Sequence, residues 1–153
     1  MKVAIKRISS DPLGLLGLCL VTLMVVSALG ASIFAPYDPI QLNIMDRLQG
    51  PSANHLLGTD QLGRDLFSRV LFGGQVALKV AFLTIGLALI VGIVLGLIAG
   101  YGPAWLDNSI MLLFDTIRSV PTIMLALAAV AVVGPSITTV IFVIAVSSIP
   151  NYG

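Results

Sequence analysis

The 153 residues include no glutamate, a single cysteine and a single histidine. Each shortage excludes a class of function. A zinc or catalytic centre needs several convergent ligands, and His55 has no second histidine, cysteine or glutamate to join it. Ser52 and Asp60 complete a Ser–His–Asp set on paper only, so His55 is read as a solvent-facing loop histidine. Cys19 lies alone within an apolar run and can form neither a disulfide nor a thiolate metal site inside the chain. These shortages argue against an enzyme, and no cofactor or metal is expected. Charge is scarce too, at 10% of residues against about 25% in soluble domains. A net charge of +1 gives no reason to expect nucleic acid as a partner. With 58% hydrophobic residues and a mean hydropathy of +1.06, the chain lacks the polar surface a soluble domain needs. The expected class is all-α: a polytopic transmembrane helix bundle in a lipid bilayer.

Four apolar runs carry that expectation. The first, about 13–34, has no charge and is long enough for a hydrocarbon core of about 30 Å. Asp11 is placed to cap it and Pro12 suits its first position. Lys2, Lys6 and Arg7 precede it. A basic head before an apolar run also describes a signal peptide, with Ala28-Leu29-Gly30 as the cleavage site, but the run exceeds the usual length of about 7–15 residues. The second run covers about 76–100 and the third about 109–133. The fourth begins at Ile137 and reaches Ser147, Ser148 and Pro150 before Gly153, so about four spans are expected. The basic residues at the start place the N-terminus in the cytoplasm. The polar 35–75 loop then faces outward and the 101–108 turn faces inward.

Within the spans, Gly92, Gly96 and Gly100 recur every fourth residue and share a helix face, which lets another helix approach closely. Asp115 and Arg118, three apart, also share a face, and Pro121 can kink the helix after them. A charge buried alone in a membrane costs upward of about 2.5 kcal/mol. Two readings stand for the trio: a structural ion pair, which is favoured, or part of a polar pathway or gate.

The most charged stretch is "HLLGTDQLGRDLFSRVLFGG", residues 55–74. Its glycine spacing imitates a phosphate-binding loop. Arg64 and Asp65 stand where that motif needs Lys and Ser or Thr, so nucleotide binding is rejected. Leu62, Leu66, Phe67, Val70 and Leu71 recur at helical spacing, which predicts an interfacial helix over about 60–72. Asp60–Arg64 and Asp65–Arg69 are its expected four-apart pairs, and Gly73-Gly74 its expected end.

At this point a resemblance becomes specific. The pattern LGTDxxGRDxxSR, carried by Gly58, Thr59, Asp60, Gly63, Arg64, Asp65, Ser68 and Arg69, resembles the outward segment of C-type permease subunits of dipeptide, oligopeptide and nickel ABC importers. "DPLGLLGL", "APYDPI", "GLIAGYGPAWLDNSIMLLFDTIRSVPTIMLALA", "VVGPS" and "SIPNYG" match that family in order. The resemblance implies a six-span ABC importer type I permease fold working by alternating access. It implies four kinds of partner: a second homologous permease subunit, two cytoplasmic ATPase subunits, an extracytoplasmic solute-binding protein and the membrane of a prokaryote.

The family continues into a cytoplasmic Glu-Ala-Ala loop, which docks on the ATPase, and then two further spans. Here the sequence stops before that loop. The expectation is therefore the N-terminal portion of a permease, unable to couple to ATP hydrolysis alone. The competing reading is a small helical membrane protein that only associates with another permease, without transport.

Overall fold

The computed structural model describes residues 11–153, so the expectation resting on Lys2, Lys6 and Arg7 lies outside the described residues. The chain divides into two compact units, Met1–Leu78 and Lys79–Gly153.

In the first unit, α1 spans Pro12–Leu29. The Asp11 carboxylate accepts from the Leu13 amide at 3.1 Å, and Pro12 occupies the first turn, where a missing N–H leaves no bond unmade. The long first run is broken at Gly30, after which the short α2 covers Ala31–Phe34. Proline-bearing chain follows, then a single 3-10 turn at Ile44–Asp46. The next helix, α3, runs without interruption over Leu66–Tyr101. Two sequence expectations are corrected here. Residues 60–65 are not helical, and Gly73-Gly74 does not end the helix. Gly74 instead sits where a Cβ would come 3.1 Å from the Ala28 Cβ, so its small size admits α1. At about 1.5 Å per residue, 36 residues exceed a bilayer core of about 30 Å, so interfacial and spanning stretches are one helix.

The second unit holds the remainder of α3, then α4 (Ala104–Ser119), α5 (Thr122–Val133), α6 (Ile137–Ser148) and a 3-10 turn at Ile149–Asn151. The expected third span is two helices, α4 and α5, meeting at 84° across Val120-Pro121. Proline explains the break: it supplies no N–H to the ladder, and its ring disfavours helical geometry in the residue before it. Val120 is accordingly extended, with φ −95° and ψ 121°. α5 and α6 pack as a hairpin around Gly134. The Ser136 hydroxyl caps α6, accepting from the Thr139 amide at 3.0 Å. Ala99, Ile110 and Phe114 form a small core, with Leu95, Leu106 and Ile149 against it.

α1 and α3 are each long and apolar enough to cross a membrane. The bent α4–α5 pair makes a third crossing if counted as one, and the helix at Ile137–Asn151 is shorter. Most large apolar side chains lie exposed along these helices, the arrangement of an all-α membrane protein whose solvent is lipid.

Candidate functional site

The loop between α2 and α3 is built by two segments lying against each other. The Asn43 amide donates to the Leu62 carbonyl at 3.3 Å, Leu48 to Asp60 at 3.1 Å and Thr59 to Gln49 at 3.0 Å. The approach is close enough to require glycine. Gly63 has φ +73°, and a Cβ there would lie 1.6 Å from the Asn43 carbonyl oxygen. Gly58 has φ +77° and meets Gln49 in the same way. Leu48 also takes a left-handed φ, of 54°.

Asp60 explains why the helix does not begin at 60. Its Oδ1 accepts from the amides of Leu62 (2.8 Å) and Arg64 (3.0 Å), closing a turn on its own backbone that competes with a helix. Its Oδ2 takes the Arg64 guanidinium at 2.7 Å and also Arg69. Desolvation pulls this carboxyl up, but hydrogen bonds from the Arg64 guanidinium and from the Arg64 and Leu62 amides outweigh it and hold the group well below the usual carboxylate range.

Asp65 does not pair with Arg69 as the four-apart spacing predicts; Arg69 turns to Asp60. Asp65 stands one residue before α3 and caps it. Its Oδ2 accepts from the Ser68 amide at 2.8 Å and the Ser68 hydroxyl at 2.7 Å, while Oδ1 lies 3.0 Å from His55 Nδ1. Burial raises this carboxyl, and bonds from the Ser68 amide, His55 and the Ser68 hydroxyl bring it below its ordinary value. Ser68 is fully buried and accepts from the Tyr37 amide at 3.2 Å, so the cap also holds the loop's entry. Thr59, 5% exposed, bonds the Gln49 amide at 2.9 Å and the Asp46 carbonyl. All eight residues of the loop pattern are thus structural members of one joint.

His55 corrects the expectation of a solvent-facing histidine. It is 8% exposed, its ring centroid is 5.0 Å from that of Tyr37, and its Nδ1 faces Asp65. Ser52 bonds only the His55 backbone, and Asp60 is committed to its arginines, so no Ser–His–Asp set forms from them. The signal missed was that a carboxylate capping a helix can hold a histidine with its second oxygen.

The residues singled out in the spans fare differently. Asp115 and Arg118 make no ion pair. Arg118 donates to the Pro150 carbonyl, joining α4 to the 3-10 turn, whereas Asp115 is exposed without a partner among the described residues. Pro121 marks the 84° bend. A Cβ on Gly92 would meet the Ile149 carbonyl and the Tyr152 Cβ at 2.8 Å, and one on Gly96 would meet Gly153 at 2.9 Å. Gly100 has nothing within 4 Å. The close-packed face continues backward through Ala88 and Thr84, both buried, rather than forward to Gly100.

Two family models match the chain. Residues 1–51 match the N-terminal TM domain of oligopeptide transport permease C, and residues 92–152 match the binding-protein-dependent transport system inner membrane component. A dipeptide transport system permease protein of Alkalihalophilus pseudofirmus is 39% identical over 150 residues, covering 98% of this chain and 49% of that protein. Along nearly its whole length the chain is thus similar to the C-type importer permeases. A di/tripeptide permease of Pseudomonas aeruginosa is 40% identical over 142 residues (89% of this chain, 47% of its own length). A glutathione permease of Pectobacterium atrosepticum is 39% identical over 133 residues (86% and 44%). The chain spans about half the length of the curated relatives it matches. The loop joint at 58–69 falls between the two stretches that the permease models cover.

Proposed function

We propose that this chain forms the outward loop and first spans of the membrane permease of an ABC importer for peptides, nickel or similar small solutes. In this reading it pairs with a second homologous permease subunit, is driven by two cytoplasmic ATPases and is supplied by an extracytoplasmic binding protein. Its N-terminus lies in the cytoplasm. One observation carries the reading: 39% identity to a dipeptide permease along 98% of the chain, through loop and spans alike. The relatives' names mention dipeptides, di/tripeptides and glutathione, which favours peptides over metal ions as cargo. The spanning helices supply the bilayer crossings such a path needs. Alternating access requires helices that move as bodies, and the rigid joint at 58–69 suits an anchor for one of them.

The test is a chimera. The matching first half of the Alkalihalophilus pseudofirmus dipeptide permease is replaced by residues 1–153, and labelled dipeptide uptake is measured in cells lacking the native subunit. Restored uptake is expected. A chimera that inserts and co-purifies with the ATPases yet transports nothing, while one built in the same way from the Pseudomonas aeruginosa relative does transport, refutes the reading.

A further inference from the structure

The loop segment 40–48 is arranged inside out. Ile40, Leu42, Ile44, Met45 and Leu48 are each between 61% and 90% exposed, although they lie outside the membrane-spanning helices. The polar residues among them are spent on one another and on the joint. Asn43 donates through its side chain to Asp46 and through its amide to the Leu62 carbonyl. Asp46 also accepts from the Gln49 side chain at 2.8 Å, and Arg47 donates to the Gln61 carbonyl at 2.7 Å. A run of large apolar side chains exposed together outside a span marks a docking surface, where singly scattered ones would not.

Leu48 adds an independent pointer. Its φ of 54° lies in the left-handed region, which glycine or asparagine occupies with far less strain than leucine. Either of those would also remove exposed apolar surface. The chain keeps a leucine that is both strained and exposed, which water does not reward and an apolar partner does. The position of the segment in the first unit says which partner. At about 1.5 Å per residue, Pro12 to Phe34 covers one hydrocarbon thickness, so the end of α2 lies at the membrane surface. Ile40 lines one groove with Ser32 and Ala35 at that end and with Phe72 of α3. Tyr37 is tied to Ser68 in the first turn of α3, and Asn43 and Leu48 are bonded to 60–62 just before it. The exposed side chains of 40–48 are thereby held beside Ile33 and Phe34, the exposed apolar residues that close α2.

We infer that segment 40–48 is a membrane-surface wedge, which inserts Ile40, Leu42, Ile44, Met45 and Leu48 into the interfacial region of the bilayer that the chain crosses. The insertion fixes the rigid joint at 58–69 against the lipid surface. Asp38 and Asp46 outnumber Arg47 across 38–48, so the attraction is burial of apolar area and not charge on anionic lipids. The inference goes beyond the importer reading and holds whichever leaflet the loop meets.

Spin labelling of the full chain in phosphatidylcholine nanodiscs tests the wedge. In a Cys19→Ala background, Met45→Cys carries the nitroxide, and Ala53→Cys, exposed on the same loop, is the comparison. Oxygen collects in lipid and a nickel chelate stays in water, so the ratio of their collision rates with the label reports depth. The ratio at 45 is expected to be several times that at 53. Adding Ile44→Ser and Leu48→Asn removes two of the inserted side chains, and asparagine suits the left-handed backbone at 48. The joint should persist in that variant, seen as an unchanged ring-nitrogen NMR signal from His55, the sole histidine, while the ratio at 45 falls toward that at 53. Equal nickel rates at 45 and 53 would place the segment in water. Low rates with both reagents at 45 would mean that protein covers it. Either result overturns the proposal, as does a ratio at 45 that the double substitution leaves unmoved.

Discussion

Asp65 shows how much one carboxylate carries at the residue scale. It caps α3, fixes His55 and, through Ser68, holds the backbone of Tyr37. Charge-assisted hydrogen bonds contribute about 1.5–3 kcal/mol each, so Asp65→Asn should destabilise the loop by about 1–2 kcal/mol near neutral pH. The pH dependence follows from the direction of the shift. Asp65 titrates below its ordinary value in the folded chain. Its contribution is therefore fully present above the unfolded value, near pH 4, and is lost as pH falls through the folded value. The stability difference between wild type and Asp65→Asn, followed by denaturant titration of the Ser68 amide signal, should shrink as pH falls below about 4. A difference that stays flat down to pH 3 rules out an ionised cap.

At the scale of elements, the apolar runs announce the helices because lipid demands long uncharged stretches. Asp11-Pro12 announces one start and Pro121 one break for local reasons. The loop joint was not legible in the same way. The alternation of Asp60, Arg64, Asp65 and Arg69 suits a helix, yet two glycines at positive φ and a side chain bonded to its own backbone override it. Those bonds close on partners at 43–49, which no periodicity within 55–74 reveals. The glycine stripe was legible in kind but not in extent. Gly92 and Gly96 face the backbone of 149–153, and Gly100 faces open space. Gly96→Leu should therefore lower stability in a detergent-titration unfolding assay by about 1–3 kcal/mol through overpacking. Gly100→Leu should be neutral or gain up to about 1 kcal/mol from helix propensity. Equal losses at both positions contradict the packing described.

For the whole molecule, the proposed function depends on which side of the membrane the loop occupies. Three arginines in the 35–75 loop oppose the basic N-terminal residues under the positive-inside rule. The proposed orientation rests on residues 2–7 lying close to the first span, since charges near a span's end weigh most. Cysteine labelling tests it directly, because Cys19 is the only thiol to remove. In a Cys19→Ala background, Ala53→Cys lies in the exposed loop and Ala104→Cys at the exposed start of α4. A membrane-impermeant maleimide applied to spheroplasts should modify position 53 at once and position 104 only after lysis. The reverse pattern would place the loop in the cytoplasm, out of reach of an extracytoplasmic binding protein, and would remove that partner from the proposed importer.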